Sequence, residues 1–325
     1  MKEQLNRTVL NATGARVVER GEVIQSLWSG YGEIVRVGLQ GAAISSAVLK
    51  YVVFPTQSNH PRGWNSDLSH LRKVKSYEVE MTFYSDWSSR CGDGCRVPHC
   101  YAAETLAEEH LMVLEDLNVA GFPLRKSRLS KSEVMCCLKW LANFHATFIE
   151  EKPSGLWEVG TYWHLETRPD ELVVMESGAL KESASAIDEM LNGCRFKTFV
   201  HGDAKVANFC FSKDGERVAA VDFQYVGGGC GMKDVAYFLG SCLDEMLQER
   251  WESEFLDFYF SELKKSVTEQ KKRVDFNALE TEWRAMFSVT QADFYRFLVG
   301  WMPGHWKVND YAKRVALDVV AKLQA

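Results

Sequence analysis

The stretch Val200-His201-Gly202-Asp203-Ala204-Lys205-Val206-Ala207-Asn208-Phe209, followed fourteen residues after Asn208 by Asp222 in Ala220-Val221-Asp222-Phe223-Gln224, decides how this chain is read. Short apolar runs at residues 196–200, 209–211 and 218–222 read as strands. The last two are joined by Lys213-Asp214-Gly215, where Asp-Gly is a hairpin signal. Two carboxylates and an amide are thereby set on loops flanking a hairpin. Phosphoryl transfer from ATP needs an acceptor-side base, hard oxygen ligands for magnesium and positive charge near the moving phosphoryl, because its catalysis is mostly positioning and charge neutralisation. All three kinds of group are present in this segment.

Outward from this segment the chain changes texture. Residues 2–19 read as a helix ending at Gly21. Residues 23–28, 34–39 and 47–54 are rich in Val, Ile and aromatics and are punctuated by Gly30, Gly32, Gly38 and Gly41, the pattern of antiparallel strands and hairpins. A loop at 56–69, a helix at 71–87 and strands at 97–103 and 111–115 complete a β-rich beginning of five strands and one interposed helix. Beyond Asn118 the pattern is helical, starting at 130–148, where Val134, Leu138, Leu141, Phe144 and Phe148 recur at intervals of three and four. The expected fold class is therefore α+β, divided into residues 1–117 and 118–325. Gly227-Gly228-Gly229-Cys230-Gly231 reads as a turned or flexible segment.

Composition limits the partners. Hydrophobic residues make up 46% and charged residues 25% of the 325, a globular balance that excludes disorder and fibrous repeats. With 38 Lys and Arg against 44 Asp and Glu, the net charge of −6 does not favour a nucleic acid or an anionic membrane surface. No apolar run is long enough to span a membrane, and Met1 to Arg20 interleaves charges where a signal peptide would be apolar, so the expected location is cytoplasmic. Nine cysteines in a long chain read as reduced thiols. Cys91, Cys95, His99 and Cys100 offer zinc-type ligands within ten residues. Their spacing is not that of a finger, and the reading is loop thiols beside a strand residue. Cys136 and Cys137 read as helix packing residues.

The spacing H-x-D-x-K-x-x-N matches the kinase catalytic loop H-R-D-x-x-x-x-N with Gly202 at its second position, and Asp-Phe-Gln stands where protein kinases have Asp-Phe-Gly. The chain resembles the kinase-like small-molecule phosphotransferases: aminoglycoside phosphotransferases, choline kinases and especially the ecdysteroid-kinase-like group, in which H-G-D and D-F-Q recur. The resemblance covers residues 28–240. It implies a two-lobed protein-kinase-like fold with an antiparallel five-stranded nucleotide lobe and a larger helical lobe holding the acceptor site. In Leu27-Trp28-Ser29-Gly30-Tyr31-Gly32-Glu33-Ile34 it implies a glycine loop through Gly30 and Gly32, with Val35 in place of the third glycine. It makes Lys50 the residue that grips the α and β phosphates. Glu80, in Glu80-Met81-Thr82-Phe83-Tyr84, becomes its ion-pair partner, with Glu78 as rival. Backbone groups from Glu115 to Leu117 become the adenine contacts, and Leu141-Ala142-Asn143-Phe144-His145-Ala146 the helix beneath the catalytic loop.

Carried over position by position, Asp203 is the base or hydroxyl-orienting group, Asn208 and Asp222 hold Mg2+, and Lys205 neutralises the transferring phosphoryl. Asp234 becomes a helix N-cap and His201 a core histidine supporting the loop. Each glycine, lysine or glutamate alone also has a bland reading as a hairpin turn or surface charge, and only their order raises them. The implied activity is ATP- and magnesium-dependent phosphorylation of a small-molecule hydroxyl on a lipophilic or amino alcohol. Alternatives are a choline, ethanolamine or antibiotic kinase, and a nucleotide-binding pseudokinase or scaffold, against which the intact Lys50, Asp203, Asn208 and Asp222 argue. A protein kinase is disfavoured by Gly202, by Gln224 and by the lack of an Ala-Pro-Glu segment. Trp157, Tyr162, Trp163 and His164, and Trp301 to Trp306, read either as packing for the helical lobe or as walls of an apolar or cationic acceptor pocket.

Overall fold

The computed structural model describes residues 3–27, 30–54, 67–106 and 109–325. Helix α1 (Glu3–Thr13) is followed by strands β1 (Val17–Ser26), β2 (Gly32–Gln40) and β3 (Ser46–Val53), helix α2 (Asp67–Thr82), and strands β4 (Cys100–Leu106) and β5 (Glu109–Glu115). The five strands form one antiparallel sheet in the order β1-β2-β3-β5-β4. The single helix expected over residues 2–19 is instead a short helix and the start of an edge strand. Gly14, at φ +69°, ends α1 with its N–H bonded to the Leu10 carbonyl, and Val17 then pairs with Gln40. Strand β1 is exposed along nearly its whole length, so it carries no apolar alternation from which a strand could be read. Much of the loop expected at 56–69, together with Trp28 and Ser29 of the glycine stretch, lies outside the described residues.

Alternation along the strands sorts the sheet into two faces. Val35, Val37, Ala47, Leu49, Leu111 and Val113 pack with Leu5 and Val9 of α1. Lys50 is the next residue after Leu49, so its side chain emerges on the opposite face, which α2 covers. The position of α2 therefore decides what the one buried lysine of the sheet meets.

The remainder is mostly helical: α3 (Lys131–Thr147), the short α4 (Pro169–Val174), α5 (Ala179–Glu182) and α6 (Ala184–Asn192), then α7 (Met232–Cys242), α8 (Glu245–Glu269), α9 (Phe276–Trp301) and α10 (Asp310–Gln324). Ser130 caps α3 through a reciprocal capping box with Glu133, and the apolar face read from the sequence is buried in the main core. Among these helices lie two small antiparallel ribbons, β7 (Phe209–Phe211) with β8 (Val218–Ala220), and β6 (Thr198–Val200) with β9 (Gly227–Gly229). The glycine run is thus a buried strand rather than a free turn. A Cβ on Gly227 would lie 2.2 Å from the Trp157 carbonyl oxygen, and one on Gly228 would lie 2.7 Å from that of Glu158, so close backbone approach demands glycine there. No helix among the described residues is long and apolar enough to cross a membrane.

Candidate active site

Strand β6 delivers the chain to His201, whose loop is held from below by a fully buried carboxylate. Asp234 Oδ2 accepts from the His201 N–H at 2.5 Å, Asp234 Oδ1 from the Gly202 N–H at 2.9 Å, and His145 Nε2 lies 3.1 Å from Oδ2. His145 Nδ1 is in turn 2.7 Å from the Tyr259 hydroxyl. Asp234 was expected as a helix N-cap. Gly231 occupies that position, and Asp234 lies inside the first turn of α7 with its carboxylate turned to the loop. Gly202 has φ +80°, and a Cβ there would lie 2.0 Å from the Tyr225 carbonyl oxygen, so no other residue fits. His201 commits both ring nitrogens to backbone: Nε2 donates to Val221 O at 3.1 Å and Nδ1 accepts from the Asp203 N–H at 3.3 Å. It ties the two carboxylate-bearing loops together.

Asp203 is surrounded by donors. Tyr237 donates its hydroxyl hydrogen to Oδ1 at 2.9 Å, and Lys205 Nζ donates to Oδ2 at 2.7 Å. Asn208 Nδ2 donates to Oδ2 at 3.2 Å and to the Asp203 carbonyl at 2.8 Å. With both amide hydrogens used, Asn208 Oδ1 is left as an acceptor with no protein donor among the described residues. Tyr237 was not read from the sequence, although it lies three residues after Asp234 and so on the same side of α7. Its burial, with Asp203 beside it, holds the phenol well above its ordinary value and keeps it a donor.

Asp222 has φ +71°, a left-handed conformation seldom adopted outside turns and sites of function. Its Oδ1 lies 3.2 Å from Lys50 Nζ, and Lys50 Nζ lies 2.6 Å from Glu80 Oε2, with Lys50 and Glu80 both buried. Burial opposes charge on Asp222, yet Lys50, Lys205 and Lys73 outweigh it and hold the carboxyl at about 2. Burial likewise opposes the Lys50 ammonium, and Glu80 and Asp222 together overcome it and hold Lys50 above its ordinary value. Glu78, the rival partner, is half exposed and sits 4.0 Å from Lys75. Spacing explains the choice: Lys73, Tyr77 and Glu80 share one face of α2. Lys73 escaped the sequence reading. Its Nζ donates to Gln224 Oε1 at 2.8 Å, and burial pushes it down to about 8.

Removing Lys50 should expose the strain on Glu80. Burial is the larger influence on Glu80 and raises its carboxyl, with Lys50 pulling the other way. In Lys50→Met burial and Asp222 push upward against Lys73 alone, the weakest of these influences, so the folded pKa rises further above the unfolded value. Stability is then present below the ordinary carboxylate range and is lost as pH rises through and above it. The expected result is a loss of about 3 kcal/mol at pH 8 and distinctly less at pH 5, read by urea denaturation at both pH values. An equal loss at both would mean that Glu80 is not left charged and unpaired.

The other expected positions are placed as follows. Gly30 has φ +77° and Gly32 φ +124°, and a Cβ on Gly32 would lie 2.0 Å from the Tyr51 carbonyl oxygen where β2 passes β3. Glu115 uses its N–H on the His99 carbonyl, and its carboxylate is bound to Arg96 and the His99 N–H. Leu117 O accepts from the Phe122 N–H, and the Leu117 N–H has no acceptor among the described residues. Cys91 and Cys95 lie on turns, and Cys100 opens β4. No group of three or more His, Cys, Asp or Glu side chains able to hold a metal occurs among the described residues.

Beside Asp203 opens a cavity of about 670 Å3, in the range of small-molecule sites. The two aromatic clusters divide between the alternatives weighed for them. Trp163 is fully buried packing, whereas Tyr162, Trp301, His305 and Trp306 face the cavity together with Tyr225, Tyr237 and Phe294.

A model of the ecdysteroid kinase-like family matches residues 64–156 and 163–272. The chain belongs to the ecdysteroid kinase-like family. The matched residues include α2 and the whole loop from His201 to Asp234. Strands β1 to β3 with Lys50, and residues 273–325, lie outside them. An uncharacterized kinase-like protein of Caenorhabditis elegans is 26% identical over 268 residues, covering 71% of this chain and 67% of that protein. Among solved structures the fold is similar to an amicoumacin kinase in complex with AMP-PNP, Ca2+ and its ligand, at TM-score 0.53 and 12% identity over 100% of this chain and 93% of that one. It is similar also to a microcompartment-associated aminopropanol kinase, at 0.51 and 12% over 98% and 94%. A putative fructosamine-3-kinase from Haemophilus somnus matches at 0.51 and 10% over 99% and 97%. At these identities the likeness is one of fold, and family membership makes the protein a kinase-like small-molecule phosphotransferase in kind.

Proposed function

We propose that this family member transfers the γ-phosphoryl group of ATP to a hydroxyl of a small lipophilic alcohol held in the cavity beside Asp203. The observation that carries the reading is the convergence of three separate segments, bearing Lys50, the pair Asp203 and Asn208, and Asp222, with Asp203 on the edge of the cavity. Residues 1–117 would cradle the nucleotide, with Lys50 on its phosphates and the Leu117 N–H as a donor toward the adenine. Residues 118–325 would carry the acceptor.

In this reading Asp203 accepts the hydroxyl proton as the acceptor oxygen bonds to the γ-phosphorus. The bond from that phosphorus to the bridging oxygen breaks, and ADP leaves with the electron pair. Lys205 moves from Asp203 toward the phosphoryl oxygens as their charge shifts. Tyr237 and Asn208 hold the carboxylate in place so that little reorganisation is needed. The free Oδ1 of Asn208 and the low-pKa carboxylate of Asp222 are hard oxygen donors that fit magnesium, which when bound neutralises phosphate charge.

Thermal unfolding with ATP plus magnesium, ATP plus EDTA, and neither tests the nucleotide half without a known acceptor, because a ligand of the folded state alone raises the midpoint. A rise that needs magnesium is expected. Asp222→Asn should abolish most of that rise, since it removes the charged oxygen donor; a wild-type rise in the variant would remove Asp222 from the metal set. No rise at millimolar nucleotide in the wild type would move the protein to a scaffold role.

A further inference from the structure

The charge of the cavity is as informative as its shape. Six cationic side chains line it, Arg72, Lys73, Lys126, Arg168, Lys205 and Lys307, against a single carboxylate, Asp203, among the described residues. Three of the six are already answered: Lys126 pairs with Glu133, Arg168 with Glu171, and Lys205 with Asp203. Lys73 lies on the side of Asp222 and Lys50, where nucleotide phosphates would be met. Two cations remain on the acceptor side. Arg72 donates to Ser69 Oγ and to the Thr167 carbonyl, both at 3.2 Å, with no carboxylate in ion-pair range among the described residues.

Lys307 stands out further. It lies between α9 and α10, and its ammonium sits over three rings, with centroids at 4.8 Å (Tyr237), 5.3 Å (Phe294) and 5.6 Å (Trp306). The ammonium has no hydrogen-bond acceptor or carboxylate partner among the described residues. Burial pushes it down to about 8, with Asp203 pulling the other way. Cation–π contact offsets only part of the cost of withdrawing an ammonium from water. The ring beneath it is the one whose hydroxyl holds Asp203. Lys307 is therefore placed across the Tyr237 ring from the reacting position, within reach of the charge on Asp203.

We propose that the acceptor is an anionic lipophilic alcohol, whose carboxylate, sulfate or phosphate is bound by Lys307 while its hydroxyl lies at Asp203. Aromatic walls take the apolar body, and the anion supplies the missing partner. A cationic amino alcohol would meet uncompensated positive charge and is selected against. The inference rests on the phosphotransfer reading for what happens to the hydroxyl, but the anion subsite can be tested apart from it. Lys307 lies outside the residues that the family match covers.

The test uses a matched set, ω-hydroxylauric acid, its methyl ester and ω-aminolauryl alcohol. Binding to the full chain is measured by calorimetry without nucleotide, and ADP release with ATP and magnesium. The acid should bind about tenfold tighter than the ester and tighter still than the amine. Lys307→Met should cancel the advantage of the acid over the ester, and Lys307→Arg should keep most of it. Equal binding of acid and ester, or an acid advantage that survives in Lys307→Met, overturns the inference. A Lys307→Met variant that loses affinity for Mg-ATP but not for the acid assigns the ammonium to the nucleotide and overturns it too. If the acid binds through Lys307 and no ADP forms with any compound, the anion subsite stands and the phosphotransfer reading falls. ADP release from ester and amine as readily as from acid leaves phosphotransfer standing and removes the anion preference.

Discussion

Asp203→Asn should lower turnover by about 10³-fold while leaving the magnesium-dependent rise in unfolding temperature nearly intact, because it removes the proton acceptor and leaves Lys50 and Asp222 in place. The substitution is close to isosteric. The amide oxygen can still accept from Tyr237 at the Oδ1 position, but an amide nitrogen at the other would face the Lys205 ammonium and the Asn208 amide, both donors. Lys205 loses its ion-pair partner and is freed, so ground-state affinity for ATP could even strengthen. Single-turnover ADP formation with an accepted alcohol, alongside thermal unfolding with Mg-ATP, separates these effects. Turnover within threefold of wild type would remove Asp203 from the reaction and leave the proton to be taken by solvent or by the phosphate itself.

The largest loss of stability should come from a residue that touches no substrate. In Asp234→Ala the buried N–H groups of His201 and Gly202 lose their only acceptors among the described residues, and His145 Nε2 loses its partner. Each stranded donor costs about 1–3 kcal/mol, so a total of about 3–5 kcal/mol and a fall in unfolding midpoint of about 4–7 °C are expected. Asp234→Asn keeps one acceptor oxygen and should lose about half as much. Activity per folded molecule should fall in both, because the loop that carries Asp203 is no longer fixed. Urea denaturation monitored by tryptophan fluorescence measures the first effect. A loss below about 1 kcal/mol in the alanine variant would show that water or a shifted loop replaces the carboxylate.

The contrast between these two aspartates shows what could be read early. Asp203, Asn208 and Asp222 form a local pattern: fixed spacing around an Asp-Gly hairpin brings them together with no long-range contact beyond the β7–β8 pairing. Lys50 and Glu80 were legible only through the family resemblance, and the structure supplies the physical reason for their meeting. Alternation along β3 puts Lys50 on the face opposite Leu49, and helical period puts Glu80 on the face of α2 that meets it, although Glu78 could be set aside only once α2 was docked. Asp234 was noticed and given the wrong task. Its position near a helix start suggested a cap, and nothing in its neighbours along the chain reveals that the His201 loop passes above its carboxylate.

Residues 2–19 failed for a complementary reason. Strand β1 is an exposed edge, so its side chains carry no burial pattern, and pairing with β2 rather than patterning makes it a strand. The glycine run at 227–229 looked like freedom and proved to be constraint, because only the fold brings the Trp157 and Glu158 carbonyls against it.

The sequence by itself determined the class of fold and most of the order of its elements, since these depend on periodicity and on short-range spacing that the covalent chain enforces, and it named the candidate site residues. Only the tertiary structure decided which groups answer one another. Tyr237 on Asp203, Lys73 on Gln224, Asp234 beneath the loop and Lys307 over its aromatic box join residues between 32 and 151 positions apart or gather them from different elements. Whether a buried charge is paired or left waiting for a ligand depends on what packing places within a few ångströms of it. That is a property of the folded volume, and no stretch of the chain carries it alone.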